Sequence, residues 1–381
     1  MQSNELMSSL DSSLHVSLGD RSYQIVFSTS FDDLATALVP LVLNRSCAVV
    51  TNPTVWSLYG EEVVAAIRTA RAKATHVFIP DGEQFKNMAE LDRMLDQLAQ
   101  QRLDRSAILV ALGGGVVGDM AGFAAACYMR GIDYIQIPTT LLAQVDSSVG
   151  GKTGVNLESG KNLVGAFHQP RLVYVNWRTL ATLPLREVRA GYAEAIKYGI
   201  IADADLFARL ENNTFAIVSG LAAKPPRVAD GLGDIIRRCC EIKADIVSRD
   251  ERESNIRALL NYGHTFAHVI EMLTDYRTYV HGEAVAIGMH AAATLAHRLG
   301  LCSPELVIRQ KLLIASAGLP VEFPDLPADT VIAAFQHDKK TAGSRLRFIL
   351  PREIGLVDIV TEPDRAVVRQ TIEECTGHDR H

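Results

Sequence analysis

The sequence predicts an α/β chain: a parallel sheet covered by helices in the first half, then a mostly helical second half. Three observations carry this. Short β-rich runs alternate with helical spacing up to about residue 176. Those runs are apolar throughout rather than alternating, the pattern of strands buried on both faces. Beyond Asn176 the strand signals nearly vanish while helical spacing persists. At 381 residues the chain is long for one core and comfortable for two, and the domains are expected at 1–178 and 179–381.

Taken in order, Arg21–Phe27 and His15–Leu18 flank the turn Gly19-Asp20 and predict an N-terminal hairpin, with Tyr23–Phe27 as its β-rich run. Further strands are expected at Cys47–Thr51, His76–Pro80, Ala107–Leu112, Tyr134–Pro138 and Leu172–Val175. Helices are expected between them over Asp32–Val42, Val55–Ala70 and Met88–Gln100. The second half reads as helices over Leu185–Ile201, Asp205–Leu210, Gly233–Ser248, Ala258–Leu273, Gly282–Leu299 and Pro304–Ser316. Loops break it at Pro225-Pro226 and from Phe323-Pro324 to Pro327. One late strand pair, Leu346–Leu350 and Leu356–Ile359, turns through Pro351 and Gly355.

Composition removes several classes of function. Hydrophobic residues make up 48% and charged residues 22%, the balance of a globular protein. A net charge of −6 with scattered basic residues leaves no footprint for nucleic acid. No apolar run reaches the roughly 18–20 residues of a membrane span. The start MQSNELMSSLDSSLHV has neither the basic residues nor the apolar stretch of a secretory signal. Six cysteines without a CxxC pair fit small buried hydrophobes in a reducing compartment, so a cytoplasmic protein is expected.

The run AILVALGGGVVGD, Ala107 to Asp119, is a strand entering a glycine turn and then a helix. Gly113, Gly115 and Gly118 satisfy GxGxxG, where backbone amides and a helix N-terminus can receive a pyrophosphate. The motif is weak alone, because it is not the first βα turn and no acid follows the next strand. Thr51-Asn52 and Asp81–Lys86 are polar loops after two other strands. Three such loops together favour a Rossmann-like dinucleotide-binding domain.

The stretch from Pro138 to Asn162 crowds Asp146, Lys152, Lys161 and several glycines together. Gly151-Lys152-Thr153 is not a Walker A loop, because Asp146 stands where the first glycine is needed. That glycine density points to close backbone approach to a ligand. Downstream, Glu194 and Lys197 share a helix face flanked by small apolar residues, which disfavours an ordinary surface ion pair. His264 and His268 lie four apart, and His281 precedes the next helix. Histidine nitrogens suit zinc, but by spacing alone a metal site and satisfied core histidines fit equally.

These segments together carry a resemblance. GGGVVGD, RGIDYIQIPTTLLAQVDSSVGGKTGVN, GKNLVGAF, AGYAEAIKYG, CEIKADIV, RALLNYGHTFAHVIE, HGEAVAIGM and HDKK resemble the 3-dehydroquinate synthase family, from Tyr23 to Ile359. The resemblance implies zinc, with cobalt able to substitute, on Glu194, His264 and His281. It implies NAD contacts from Asn52, Glu83, Lys86, Gly114, Gly115, Asp119, Thr139, Thr140, Lys152 and Lys161. It assigns a phosphorylated keto acid to Asp146, Lys152, Asn162, Lys197, Lys243, Arg257, Asn261, His268 and Lys340, with Lys339 an alternative to Lys340. It further implies a homodimer in which Arg130 reaches the phosphate in the neighbouring subunit. The chemistry implied is alcohol oxidation by NAD, phosphate elimination, re-reduction, ring opening and aldol closure, with His268 as proton relay.

Two other enzyme classes share parts of this pattern. A sugar-phosphate cyclase making an aminated or inositol-like product would keep most of the residues, but Arg257 favours a carboxylate substrate. A glycerol-dehydrogenase-like enzyme shares the domain plan but has no need of VDSSVGGKTGVN. A non-catalytic sugar-phosphate sensor would have little use for an intact Glu194, His264 and His281.

Overall fold

Strand β5 (Ile108–Gly113, ILVALG) is buried at every residue, and the first unit is built around it. The structure, a computed structural model, describes residues 13–253, 256–342 and 346–376, and the backbone alone for 336–342. Seven strands form one sheet: β1 (Ser13–Val16), β2 (Tyr23–Ser28), β3 (Ser46–Thr51), β4 (Lys73–Phe78), β5, β6 (Asp133–Pro138) and β9 (Leu172–Asn176). Their order is β1-β2-β9-β6-β5-β3-β4, with β1 antiparallel to β2 and all other pairs parallel. Successive side chains leave a strand on opposite faces, so each central strand feeds two cores. Val49, Val110 and Ile135 pack with α1 (Leu34–Val42) and α2 (Glu61–Thr69). Val50, Leu109 and Tyr134 pack with α3 (Met88–Gln100) and α4 (Gly115–Cys127).

The strand expected at His76–Pro80 lies instead at Lys73–Phe78. It is an edge strand with only Val77 buried, so its polar first half carries no apolar signal. The glycine-rich stretch after Asp146 is an antiparallel hairpin, β7 (Lys152–Leu157) with β8 (Gly160–Phe167). Gly154 stands opposite Gly165, and a Cβ on Gly165 would collide with the Thr153 carbonyl. At this pair the glycines admit a neighbouring strand.

The second unit is helical: α5 (Leu185–Ala202), α6 (Ala204–Ala222), α7 (Leu232–Arg249), α8 (His264–Leu273), α9 (His281–Arg298), α10 (Pro304–Ser316), α11 (Ala328–Ala342) and α12 (Arg365–Cys375). The late strand pair is β10 (Arg347–Glu353) with β11 (Leu356–Thr361). Helices α11 and α12 had no counterpart in the sequence reading, although Val368, Thr371, Ile372 and Cys375 carry helical spacing and are buried. Met1–Leu183 with Lys243–Arg252 form one compact unit, and Pro184–Ile242 with Glu253–His381 the other. The end of α7 is therefore grouped with the first unit. No described helix is long and apolar enough to cross a membrane. None of the six cysteines is in a disulfide.

Candidate active site

In a parallel sheet every strand ends at the same edge, so loops far apart in sequence converge there. Asn52 follows β3, Glu83–Lys86 follow β4, Gly114 and Gly115 follow β5, and Thr139 and Thr140 follow β6. Gly114 occupies the N-cap of α4, whose first-turn amides face this edge. Asn52 is buried, and its Oδ1 accepts from the Val55 amide at 2.8 Å.

Behind the edge lies a closed ion cluster. The Lys86 ammonium donates to Asp119 Oδ2 at 2.5 Å and to Asn162 Oδ1 at 2.6 Å. Burial alone would favour the neutral amine, but Asp119 and Glu83 outweigh it and hold the Lys86 pKa above the usual lysine value. Asn156 ties Glu83 to the hairpin through a 2.8 Å hydrogen bond, and its Oδ1 accepts from the Asn162 amide at 2.9 Å. Lys161 is half-buried beside Asn162, whereas Lys152 is exposed at the start of β7. Asp146 sits in a π-helical turn, Ala143–Ser147. Lys243 binds its carboxylate and also donates to its backbone carbonyl at 2.7 Å.

Arg130 has a different setting. It is exposed on a turn in which Met129 (φ 49°) and Arg130 (φ 68°) are both left-handed. Such a conformation costs roughly 1–2 kcal/mol per non-glycine residue. Its guanidinium has no partner among the described residues. The six residues of β6, about 20 Å of strand, separate this turn from Thr139.

The second unit holds a buried cluster of a different kind. Ligand atoms of Glu194, His264 and His281 lie within 4.8 Å of one another. Glu194 Oε1 is 3.6 Å from His264 Nε2 and 3.7 Å from His281 Nε2, while Lys197 Nζ is 2.5 Å from Glu194 Oε2. Glu194 and Lys197 side chains are 0% and 1% exposed, so the surface ion pair is ruled out for them. Burial first, then the nearby Lys197 charge, holds His264 well below its usual pKa and keeps the ring neutral. Its Nδ1–H donates to the Tyr262 carbonyl at 3.1 Å, which leaves the Nε2 lone pair facing Glu194. One buried carboxylate and two imidazole nitrogens converging in this way fit a three-ligand zinc site.

Two glycines bring these elements together. Gly263 is left-handed (φ 80°), and a Cβ there would lie 2.6 Å from Met289 Cγ. A Cβ on Gly282 would collide with the Ala190 carbonyl of α5. Each glycine adjoins a histidine of the cluster. Gly263 also corrects the expected helix Ala258–Leu273: Ile256–Asn261 is a separate 3-10 helix, and α8 begins only at His264. Arg257 and Asn261 therefore do not share a helix with His264. Arg257 is 1% exposed, which excludes a surface arginine, and Asn261 Nδ2 donates to Glu253 Oε1 at 3.2 Å. His268 lies one turn along α8, its ring 5.6 Å from that of His264. The Lys340 side chain lies outside the described residues.

One buried acid was missed in the sequence. Glu271 is 2% exposed, and its Oε1 is 3.3 Å from His281 Nδ1. The signal available was an acid among the apolar residues of HTFAHVIEML.

Residues 76–190 match the family described as 3-dehydroquinate synthase N-terminal, and residues 191–341 match 3-dehydroquinate synthase C-terminal. A 3-dehydroquinate synthase of Nostoc punctiforme is 46% identical over 366 residues, covering 96% of this chain and 99% of that protein. One from a Picosynechococcus species is 48% identical over 355 residues, covering 93% and 96%. Among solved structures, 2-epi-5-epi-valiolone synthase from Streptomyces hygroscopicus, with NAD+ and Zn2+ bound, superposes with a TM-score of 0.86 at 30% identity, over 95% of this chain and 99% of that one.

Proposed function

The chain belongs to the 3-dehydroquinate synthase family, and we propose that it works through the residues located above. It is an enzyme that converts 3-deoxy-D-arabino-heptulosonate 7-phosphate to 3-dehydroquinate and phosphate. The observation that carries the site reading is the convergence of Glu194, His264 and His281 around one point.

When bound, NAD would supply a hydride acceptor that is regenerated within each turnover, and zinc would polarise the substrate hydroxyls. Glu194, His264 and His281 would hold the metal. Asn52, Glu83, Lys86, Gly114, Gly115, Asp119, Thr139, Thr140, Lys152 and Lys161 would hold the dinucleotide. Oxidation at a ring hydroxyl makes the adjacent C–H acidic. Loss of that proton breaks the bond to the phosphate oxygen, and phosphate leaves. Re-reduction would restore the hydroxyl, after which the ring opens and an intramolecular aldol addition forms the new carbon–carbon bond.

The chain's own groups suit these demands. Lys197 holds one oxygen of Glu194, leaving the other toward the histidines. Arg257, nearly dry, offers a planar fork for the substrate carboxylate. Lys152, Lys243 and Lys340 supply positive charge for phosphate; Asn162, Asn261 and Asp146 supply hydrogen-bonding groups, and His268 relays protons. The dinucleotide role is assigned to residues 1–178 and the metal role to 179–381. Incubating the protein with the keto acid phosphate, NAD and zinc should yield 3-dehydroquinate by NMR; an unclosed product, or turnover of the aminated analogue of that substrate alone, would overturn the reading.

We also infer a homodimer and a cytoplasmic location. Free thiols support the location, and fractionation of source cells tests it. A strained turn presenting an unpartnered Arg130 supports the dimer. Mixing inactive Arg130→Ala with inactive Lys197→Ala should recover activity, since a mixed dimer holds one complete site. No recovery under demonstrated subunit exchange would place Arg130 within its own chain's site.

A further inference from the structure

The two histidines of the cluster are anchored unequally. Both turn Nε2 toward Glu194 Oε1, and both have Nδ1 beside an acceptor. For His264 that acceptor is a neutral backbone carbonyl; for His281 it is the Glu271 carboxylate. Their surroundings differ in a matching way. The His264 side chain is 11% exposed, and the backbone before it is fixed by the tight packing of Gly263. The His281 side chain is 33% exposed and stands at the first position of α9, where packing restrains it on fewer sides. The helix N-terminus there carries partial positive charge, which disfavours a cation unless an anion is near.

Glu271 is buried where it stands. An ionised carboxylate that is 2% exposed loses several kcal/mol of hydration unless charged or hydrogen-bonding groups compensate. It projects from α8, the helix that also carries His264, so one helix supplies a ligand and the brace for another.

We propose that Glu271 is a positioning residue that accepts a hydrogen bond from His281 Nδ1–H and thereby aims the His281 Nε2 lone pair at the metal. The pairing fixes the tautomer, restrains the ring of the more exposed histidine and makes it a stronger donor. The inference rests on the reading that Glu194, His264 and His281 hold the metal.

The test is zinc binding to metal-free full-length protein, measured by competition with a chromophoric chelator, with the visible spectrum of the cobalt form as a second readout. Glu271→Gln should weaken zinc binding about 10–100-fold and shift the cobalt bands. The thermal midpoint of the metal-free protein and its NAD affinity should stay at wild-type values. Glu271→Asp keeps the charge but withdraws it by one carbon; it should show an intermediate loss, and it decides the matter if the glutamine variant does not fold. His264→Ala separates this inference from the reading beneath it. Zinc binding lost in His264→Ala but unchanged in Glu271→Gln would overturn the role of Glu271 alone. Wild-type zinc binding in both variants would overturn the metal site and this inference with it.

Discussion

The cluster around Lys86 and the cluster around Glu194 both hold buried charge, yet their polar atoms are turned differently. At Lys86 the ammonium donates to the half-buried Asp119 carboxylate and to Asn162, with the Glu83 charge nearby. In the second cluster a Glu194 oxygen and the Nε2 atoms of His264 and His281 converge on one point, and His264 is held neutral. Donor-to-acceptor pairing ties the loops of the first cluster together. Acceptor atoms turned toward one another, as in the second, suit a cation. The difference is one of geometry, and it makes the two sites separable by mutation.

The largest effect is expected from Glu194→Gln, which keeps the shape and removes the charge. Activity should fall by at least about a thousandfold, roughly 4 kcal/mol of barrier, and zinc content by plasma emission should fall with it. Lys86→Met breaks the first cluster and leaves the half-buried Asp119 without its ammonium partner, at a cost of about 3 kcal/mol. Zinc content should be unaffected, and chemical denaturation with metal analysis reads both. A drop in zinc would show that the two clusters are not independent.

The smallest effect concerns pH. His290 of α9 is buried, and burial lowers its pKa from 6.5 to about 4. Between those values the unfolded chain binds a proton that the folded chain does not, so stability falls as pH drops through this window and the loss is complete near pH 4. The shift corresponds to about 3 kcal/mol at pH 4 and to nothing at pH 7. His290→Leu should flatten that part of the stability profile, followed by denaturant titration at several pH values. An unchanged slope would mean the histidine titrates freely.

Much of this was legible in the sequence for a physical reason. Strands buried on both faces must be continuously apolar, so β3, β5, β6 and β9 announce themselves. The edge strand β4 does not, because one side of it meets water. The hairpin β7–β8 read as a ligand loop because glycine density looks the same whether the close neighbour is a ligand or another strand. Helical spacing ran straight through Asn261-Tyr262-Gly263, and only the left-handed φ of Gly263 separates Arg257 from the helix of His264. Spacing alone placed His264 and His268 on one helix face, whereas the motif resemblance named Glu194, His264 and His281. The structure groups those three from three different helices, which no local periodicity encodes. Glu271 shows in the sequence as an acid in an apolar helix, but its pairing does not, since its partner stands ten residues away across a loop.

The dinucleotide acts here as a catalyst and is not consumed, while phosphate is lost for good. Phosphate release and NADH absorbance should be followed together with substrate in large excess over enzyme and NAD present. The expected result is many phosphates released per enzyme with no net NADH. NADH accumulating in proportion to substrate consumed, with or without phosphate, would contradict it and leave a dehydrogenase on the same scaffold.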